Sequence, residues 1–150
     1  MLVTIADTDI GQLCSFVAAA TTGRTIERLA AEGFHDARLT HRAVFTGLVA
    51  GDRTVTQLAG RLGISSQAVS KTVSELERSG YLRKVRDGAD ARARLLEITE
   101  RGLELVAATG RVRNAVNRDT ARWLGARDVT ELTRLLLALA ELYQEPDSSG

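Results

Sequence analysis

Cysteine occurs once in this 150-residue chain, at Cys14, and proline once, at Pro146. A lone cysteine excludes an internal disulfide framework. Without proline ahead of position 146, every earlier segment is free to run as an uninterrupted helix. Aromatic residues are only 4% of the chain against 44% hydrophobic in all, so a core has to be built from Leu, Val and Ala, as in helical proteins. No apolar run approaches the ~18 residues that a membrane span needs, and no secretory leader pattern is present. The expectation is a soluble, cytoplasmic protein with no membrane partner. Lysine is scarce too, since eighteen of the twenty basic residues are arginine, a side chain that suits phosphate contact. The chain has no glycine-rich phosphate loop, nucleophile elbow or His-x-x-x-His pair, so neither an enzyme nor a cofactor is expected.

What is present is concentrated between Thr54 and Arg94. Thr54 and Gln57 have the spacing of a capping box, and Val55, Leu58, Ala59 and Leu62 follow at i, i+3, i+4, i+7, the stripe of a helix with one buried side. Gly63 is placed to end that helix. Ser65 is placed to cap a second one, with Ala68, Val69, Val73 and Leu76 expected to face inward. Gln67, Ser70, Lys71 and Ser74 then share an outer face. That face is polar, short-chained and mostly uncharged, whereas a solvated helix face is normally rich in Glu and Lys. Donors and acceptors without bulk or negative charge are what the major groove of DNA accepts, so the second helix reads as a recognition helix. Ser66, near its start, is placed to hold a phosphate.

Ser79-Gly80 stops this helix, and Tyr81–Val85 and Arg94–Ile98 have strand character on either side of a turn signal at 86–90. A hairpin directly after a helix-turn-helix is a wing. Arg78, Arg83, Lys84, Arg86, Arg92 and Arg94 face only Asp87 and Asp90 across this segment, a local excess of +4 on a chain whose total is +1. Local density of positive charge, not the total, decides contact with phosphate. In an extended wing, residues two apart project to the same side, which lets Asp90 orient Arg92 toward a minor groove.

The flanks read as helices. Ile10, Leu13, Cys14 and Val17 form an apolar stripe in a first helix from about Asp7 to Glu32, closed by Gly33. Thr99 caps a helix through Leu103, Val106 and Ala107 to about Trp123-Leu124, which Gly125 breaks. Asp128 and Glu131 have a second capping-box spacing, followed by Leu132, Leu135, Leu136, Leu139, Leu142 and Tyr143, with Leu137 and Ala138 broadening the stripe. Apolar surface in excess at both ends of the chain suggests the interface of an intertwined homodimer. Periodicity alone is also compatible with an intramolecular bundle.

The chain resembles the MarR-type (multiple-antibiotic-resistance) winged-helix transcriptional regulators. The resemblance rests on Leu39-Thr40, on Thr56-Gln57-Leu58-Ala59-Gly60-Arg61-Leu62-Gly63, on Ala68-Val69-Ser70-Lys71 and on Leu76-Glu77-Arg78-Ser79-Gly80-Tyr81-Leu82. It continues through Asp87-Gly88-Ala89-Asp90-Ala91-Arg92-Ala93 and Leu96-Glu97-Ile98-Thr99-Glu100-Arg101-Gly102. The family wing usually has two consecutive arginines after its aspartate, and here the first is Ala91. The resemblance implies a mainly α fold with a small β-hairpin wing. Residues 36–99 would be the winged helix-turn-helix DNA-binding domain, and 1–35 and 100–150 the dimerisation helices. It implies a homodimeric regulator, expected to be a repressor, on an inverted repeat in double-stranded DNA. Ser66, Gln67, Ser70, Lys71, Ser74, Asp90, Arg92 and Arg94 would be its DNA contacts.

The same resemblance implies a small aromatic or phenolic effector, and the corresponding region here would draw on Phe16, His35, His41, Arg42 and Phe45. His35 and His41 do not have a metal-ligand spacing and no further histidine completes a site, so no metal is expected. Packing or helix-start solvation is the simpler role for both. Cys14 reads in two ways. Gln12-Leu13-Cys14 resembles the sensing cysteine of the peroxide-responsive branch of the family, which would make the chain a redox regulator. The plainer reading is a buried thiol acting as a small hydrophobe.

Overall fold

A computed structural model describes residues 9–86 and 94–144, Leu39 by its backbone only. The elements in order are α1 (Ile10–Ala31), α2 (Leu39–Val49), α3 (Val55–Leu62), α4 (Ser66–Arg78), β1 (Leu82–Arg86), β2 (Arg94–Ile98), α5 (Glu100–Leu124) and α6 (Ala126–Leu142). They form two compact bodies, residues 1–112 and 113–150.

The core of the first body lies where α2, α3 and α4 pack on one another and on the hairpin. Val44, Phe45, Leu58, Ala59, Val69, Val73, Leu76, Leu82 and Leu96 fill it. Each fully buried Leu or Val there stabilises the fold by roughly 1.5–3 kcal/mol. Gly47 lets α2 approach α3 closely, because a Cβ at that position would overlap Leu58. The strands are antiparallel, with Leu82 opposite Ile98, Arg83 opposite Glu97 and Arg86 opposite Arg94. The Leu96 N–H donates to the Arg53 carbonyl at 2.8 Å, tying the loop before α3 to the outer edge of β2. β1 starts at Leu82, one residue later than the sequence pattern suggests, because the Tyr81 N–H is used at 2.9 Å to close α4 on the Leu76 carbonyl.

α1 starts at Ile10, capped by Asp9, whose carboxylate accepts from the Gln12 N–H at 2.8 Å. Its Ile10, Leu13, Phe16 and Val17 are exposed. Cys14 lies among them and is exposed as well, so it is not the buried hydrophobe that the sequence suggests. The physical reason is that none of the described residues covers the N-terminal half of α1; the first buried residue of this helix is Leu29. In α5 the side turned inward within the first body is Leu105, Ala108 and Val112, whereas Leu103 is exposed.

In the second body α6 starts three residues earlier than a cap at Asp128 would require. Gly125, at φ +88°, supplies the N-cap position, so Asp128 stands inside the first turn. Glu131, expected to complete a capping box, instead pairs with Arg134 at 2.6 Å. Leu132, Leu135, Leu136, Leu137, Leu142 and Tyr143 are all exposed, as is Trp123 near the end of α5. No helix among the described residues is long and apolar enough to cross a membrane.

Candidate nucleic-acid interface

α4, the helix expected to read DNA, is positioned by the segment before it. Thr54 accepts the Gln57 N–H at 3.2 Å, and the Gln57 side chain accepts back from the Thr54 N–H at 3.1 Å, so both ends of the capping box are formed. Gly63 takes φ +64°, the left-handed conformation that ends α3. Ser65 then accepts the Ala68 N–H at 3.2 Å and starts α4. Val69, Val73 and Leu76 lock one side of α4 into the core.

The opposite side carries Gln67, Ser70, Lys71 and Ser74, with Ser66 at the start of the helix, all five exposed. The Ser74 hydroxyl donates to the Ser70 carbonyl at 2.8 Å, so toward solvent it presents only its oxygen lone pairs. Arg78 continues the line of Gln67, Lys71 and Ser74 by one further turn. It is exposed, and its Nε points at the Ser74 carbonyl at 3.4 Å. From sequence Arg78 counted only toward the charge of the wing; it stands on the helix face. Ala68 corrects the sequence reading in the other direction: expected in the core, it is exposed. It belongs to the first turn of α4, and the ~100° per residue of a helix swings it away from Val69 onto the outer flank.

Two of the wing cations are already paired. Lys84 reaches Glu77 of α4 at 2.8 Å, and Arg83 reaches Glu97 across the hairpin at 2.8 Å. Glu97 also lies 3.8 Å from Arg53. Neither acid falls within the wing turn, which is why counting charge along the sequence misses the pairing. Arg94 is exposed at the start of β2. Asp90 and Arg92 lie outside the described residues.

Behind α4 sits a polar cluster that the sequence does not announce. The Tyr81 hydroxyl donates to Asp36, and the Tyr81 ring lies 6.3 Å from that of Phe34. The Arg101 guanidinium stands over both rings, 5.1 Å from Tyr81 and 5.8 Å from Phe34. Burial, with the Asp36 bond, pushes the Tyr81 hydroxyl up to about 12, so it remains a donor. At Asp36 burial works to raise the pKa, but hydrogen bonds from Tyr81 and Ser79 and the charge of Arg101 together hold it below the ordinary value. Thr99 joins α4 to α5: its hydroxyl donates to the Gly80 carbonyl at 2.6 Å and accepts the Gly102 N–H at 3.1 Å.

The five residues considered for an effector are scattered. His41 and Phe45 are buried, while Phe16, His35 and Arg42 are exposed. The His41 Nδ1 accepts the Arg38 N–H at 3.3 Å, and its buried Nε2 has no hydrogen-bond partner among the described residues, with a Glu75 carboxylate oxygen 3.9 Å away. An open cavity of about 430 Å³ between the end of α2 and β2 is lined by Leu48, Gly51, Asp52, Arg53, Leu96, Glu97 and Ile98, none of them among the five.

A family model for the MarR family matches residues 39–93, from the start of α2 to the wing. The PcaV transcriptional regulator of Streptomyces coelicolor is 25% identical, with 91% of this chain and 98% of that one covered at a TM-score of 0.72. Over residues 39–93 the chain is thus similar to the MarR family, and its fold is that of a MarR family regulator. Other solved structures share its fold at lower identity. MarR of E. coli matches 88% of this chain and 97% of its own at 19% identity and a TM-score of 0.64. S. aureus MepR in complex with DNA matches 90% and 98% at 16% identity and 0.69. PcaV has also been solved with its natural ligand, and that form is 24% identical over 96% of this chain and 100% of its own, at 0.61. The family match spans α2, α3, α4 and β1 and ends just before β2.

Proposed function

We propose that this chain is a MarR family regulator that acts as a homodimer on an inverted repeat in double-stranded DNA, as a repressor whose grip is modulated by a small aromatic or phenolic effector. The outer face of α4 carries this reading. Gln67, Ser70, Lys71 and Ser74 present donors and acceptors to solvent on a helix anchored by three core residues on its other side. Such a face suits base edges in the major groove, with Ser66 and Arg78 at its two ends placed for phosphate oxygens. Arg94, with Asp90 and Arg92 of the wing, would serve the adjacent minor groove. The MepR–DNA complex and the ligand-bound PcaV lend support by likeness of fold. Support for the dimer comes from the uncovered apolar residues of α1 and of α6, which under this proposal are the dimerisation helices. Cys14 would then lie at that seam as a packing residue, which leaves peroxide sensing without a role.

Two readers related by a two-fold axis would place their half-sites about one helical turn, ~34 Å, apart. Sedimentation together with a DNA footprint tests this: a dimer protecting two symmetric half-sites is expected, and a stable monomer or a single asymmetric half-site would overturn it. Gln67→Ala should relax base preference at one position per half-site, at a cost of about 1–3 kcal/mol on the preferred sequence. Equal weakening on operator and random DNA would reduce Gln67 to a backbone contact.

A further inference from the structure

Ala68 is the residue on which the sequence pattern and the structure disagree most plainly. Its methyl group is exposed on the first turn of α4, flanked by Gln67 and one turn ahead of Lys71 and Thr72. Its own polar groups are committed: the N–H is held by Ser65 at 3.2 Å, and the carbonyl accepts from the Thr72 hydroxyl at 3.4 Å. What it offers outward is a single apolar methyl among polar side chains. The first turns of a recognition helix are the part that approaches base edges.

At such a position the physical consequences differ by base. Set against the N7 or O6 of guanine, or an exocyclic amino group, a methyl strips water from a polar group and returns no hydrogen bond. Set against the C5-methyl of thymine, it buries two apolar groups together. We infer that Ala68 is a specificity-determining residue that selects a thymine, through its methyl group, in each half-site. This rests on the major-groove reading of α4 given above. Small neighbours at Ser66 and Ser70 are consistent with it, because a short side chain makes this contact only where the helix backbone comes close.

The test uses the full-length protein. An operator is first selected by the wild-type chain from random duplexes, and each thymine is then replaced in turn by deoxyuridine, which removes only the methyl. One replacement per half-site should weaken wild-type binding by roughly fourfold, the worth of one buried methyl. For Ala68→Gly, and independently for Ala68→Ser, the same replacement should change nothing, with circular dichroism confirming that both variants are folded. An operator with no methyl-sensitive thymine, or a sensitivity that survives in both variants, would overturn the inference while leaving DNA reading by α4 intact. If no sequence is enriched at all, the DNA-reading proposal itself fails, and the inference with it.

Discussion

At the scale of the residue, His41 shows how a polar side chain can be visible in a sequence while its circumstances are not. Packing was one of its expected roles, and it is buried, but nothing in the spacing of the sequence predicts that Glu75 of α4 will stand 3.9 Å from its Nε2. That proximity depends on how α2 crosses α4, which is a tertiary fact. Burial pushes the His41 pKa below its ordinary 6.5; the carboxylates of Glu75 and Asp36 oppose this and Arg38 reinforces it. The unfolded chain therefore takes up a proton at a higher pH than the folded one. Wherever the unfolded state binds more protons, stability rises with pH. The contribution of His41 is thus present above 6.5 and is lost as the pH falls from there toward the folded value. Urea unfolding at about pH 7.5 and about pH 5.5 should show a drop for the wild type that is smaller in His41→Asn. An equal drop in both proteins would assign the loss to other groups. The depressed Asp36 carboxyl acts in a separate window, since its stabilising effect is lost only below the ordinary carboxylate value of 3.8.

Among the elements, local chemistry was legible wherever a cap or a breaker decides the outcome. Thr54 with Gln57, Gly63, Ser65 and Thr99 all act where the sequence places them. The reading of Asp128 failed because Gly125 took the capping position first, and that of Ala68 because four apolar residues were assigned to a side of α4 that only three occupy. Junctions between elements were the least legible. At the start of α5 a Cβ on Gly102 would overlap the Tyr81 carbonyl and crowd Ile98, whereas Gly60 in α3 has open space around it. Gly102→Ala should therefore destabilise the protein by about 1–3 kcal/mol, as overpacking does, despite the gain in helix propensity. Gly60→Ala should keep that gain and stabilise by roughly 0.5–1 kcal/mol. Thermal melts of the two variants check the contrast, and a shift of the same sign in both would disprove the close approach at Gly102.

For the whole molecule, the exposed leucines of α6 have to meet a partner surface if the proposed dimer is right. Leu136→Glu places a charge in that surface and should yield a monomer by sedimentation, with circular dichroism unchanged. Operator affinity should then fall roughly 100-fold or more, since two half-sites are no longer held by one molecule. A dimer that survives the substitution would move the interface away from α6. The paired cations of the reader bear on a different property, the number of small ions that binding sets free. Each phosphate neutralised by a bare cation releases condensed counterions and adds roughly 0.9 to the slope of log affinity against log salt. Lys84 and Arg83 arrive with Glu77 and Glu97 already beside them, so they displace little sodium or potassium from the duplex. The slope should fall short of a count of every wing cation by roughly 1.8 per protomer, and Glu77→Gln should restore about half of that difference. A regulator so arranged would keep its hold on DNA through an osmotic upshift that strips proteins whose cations are all bare.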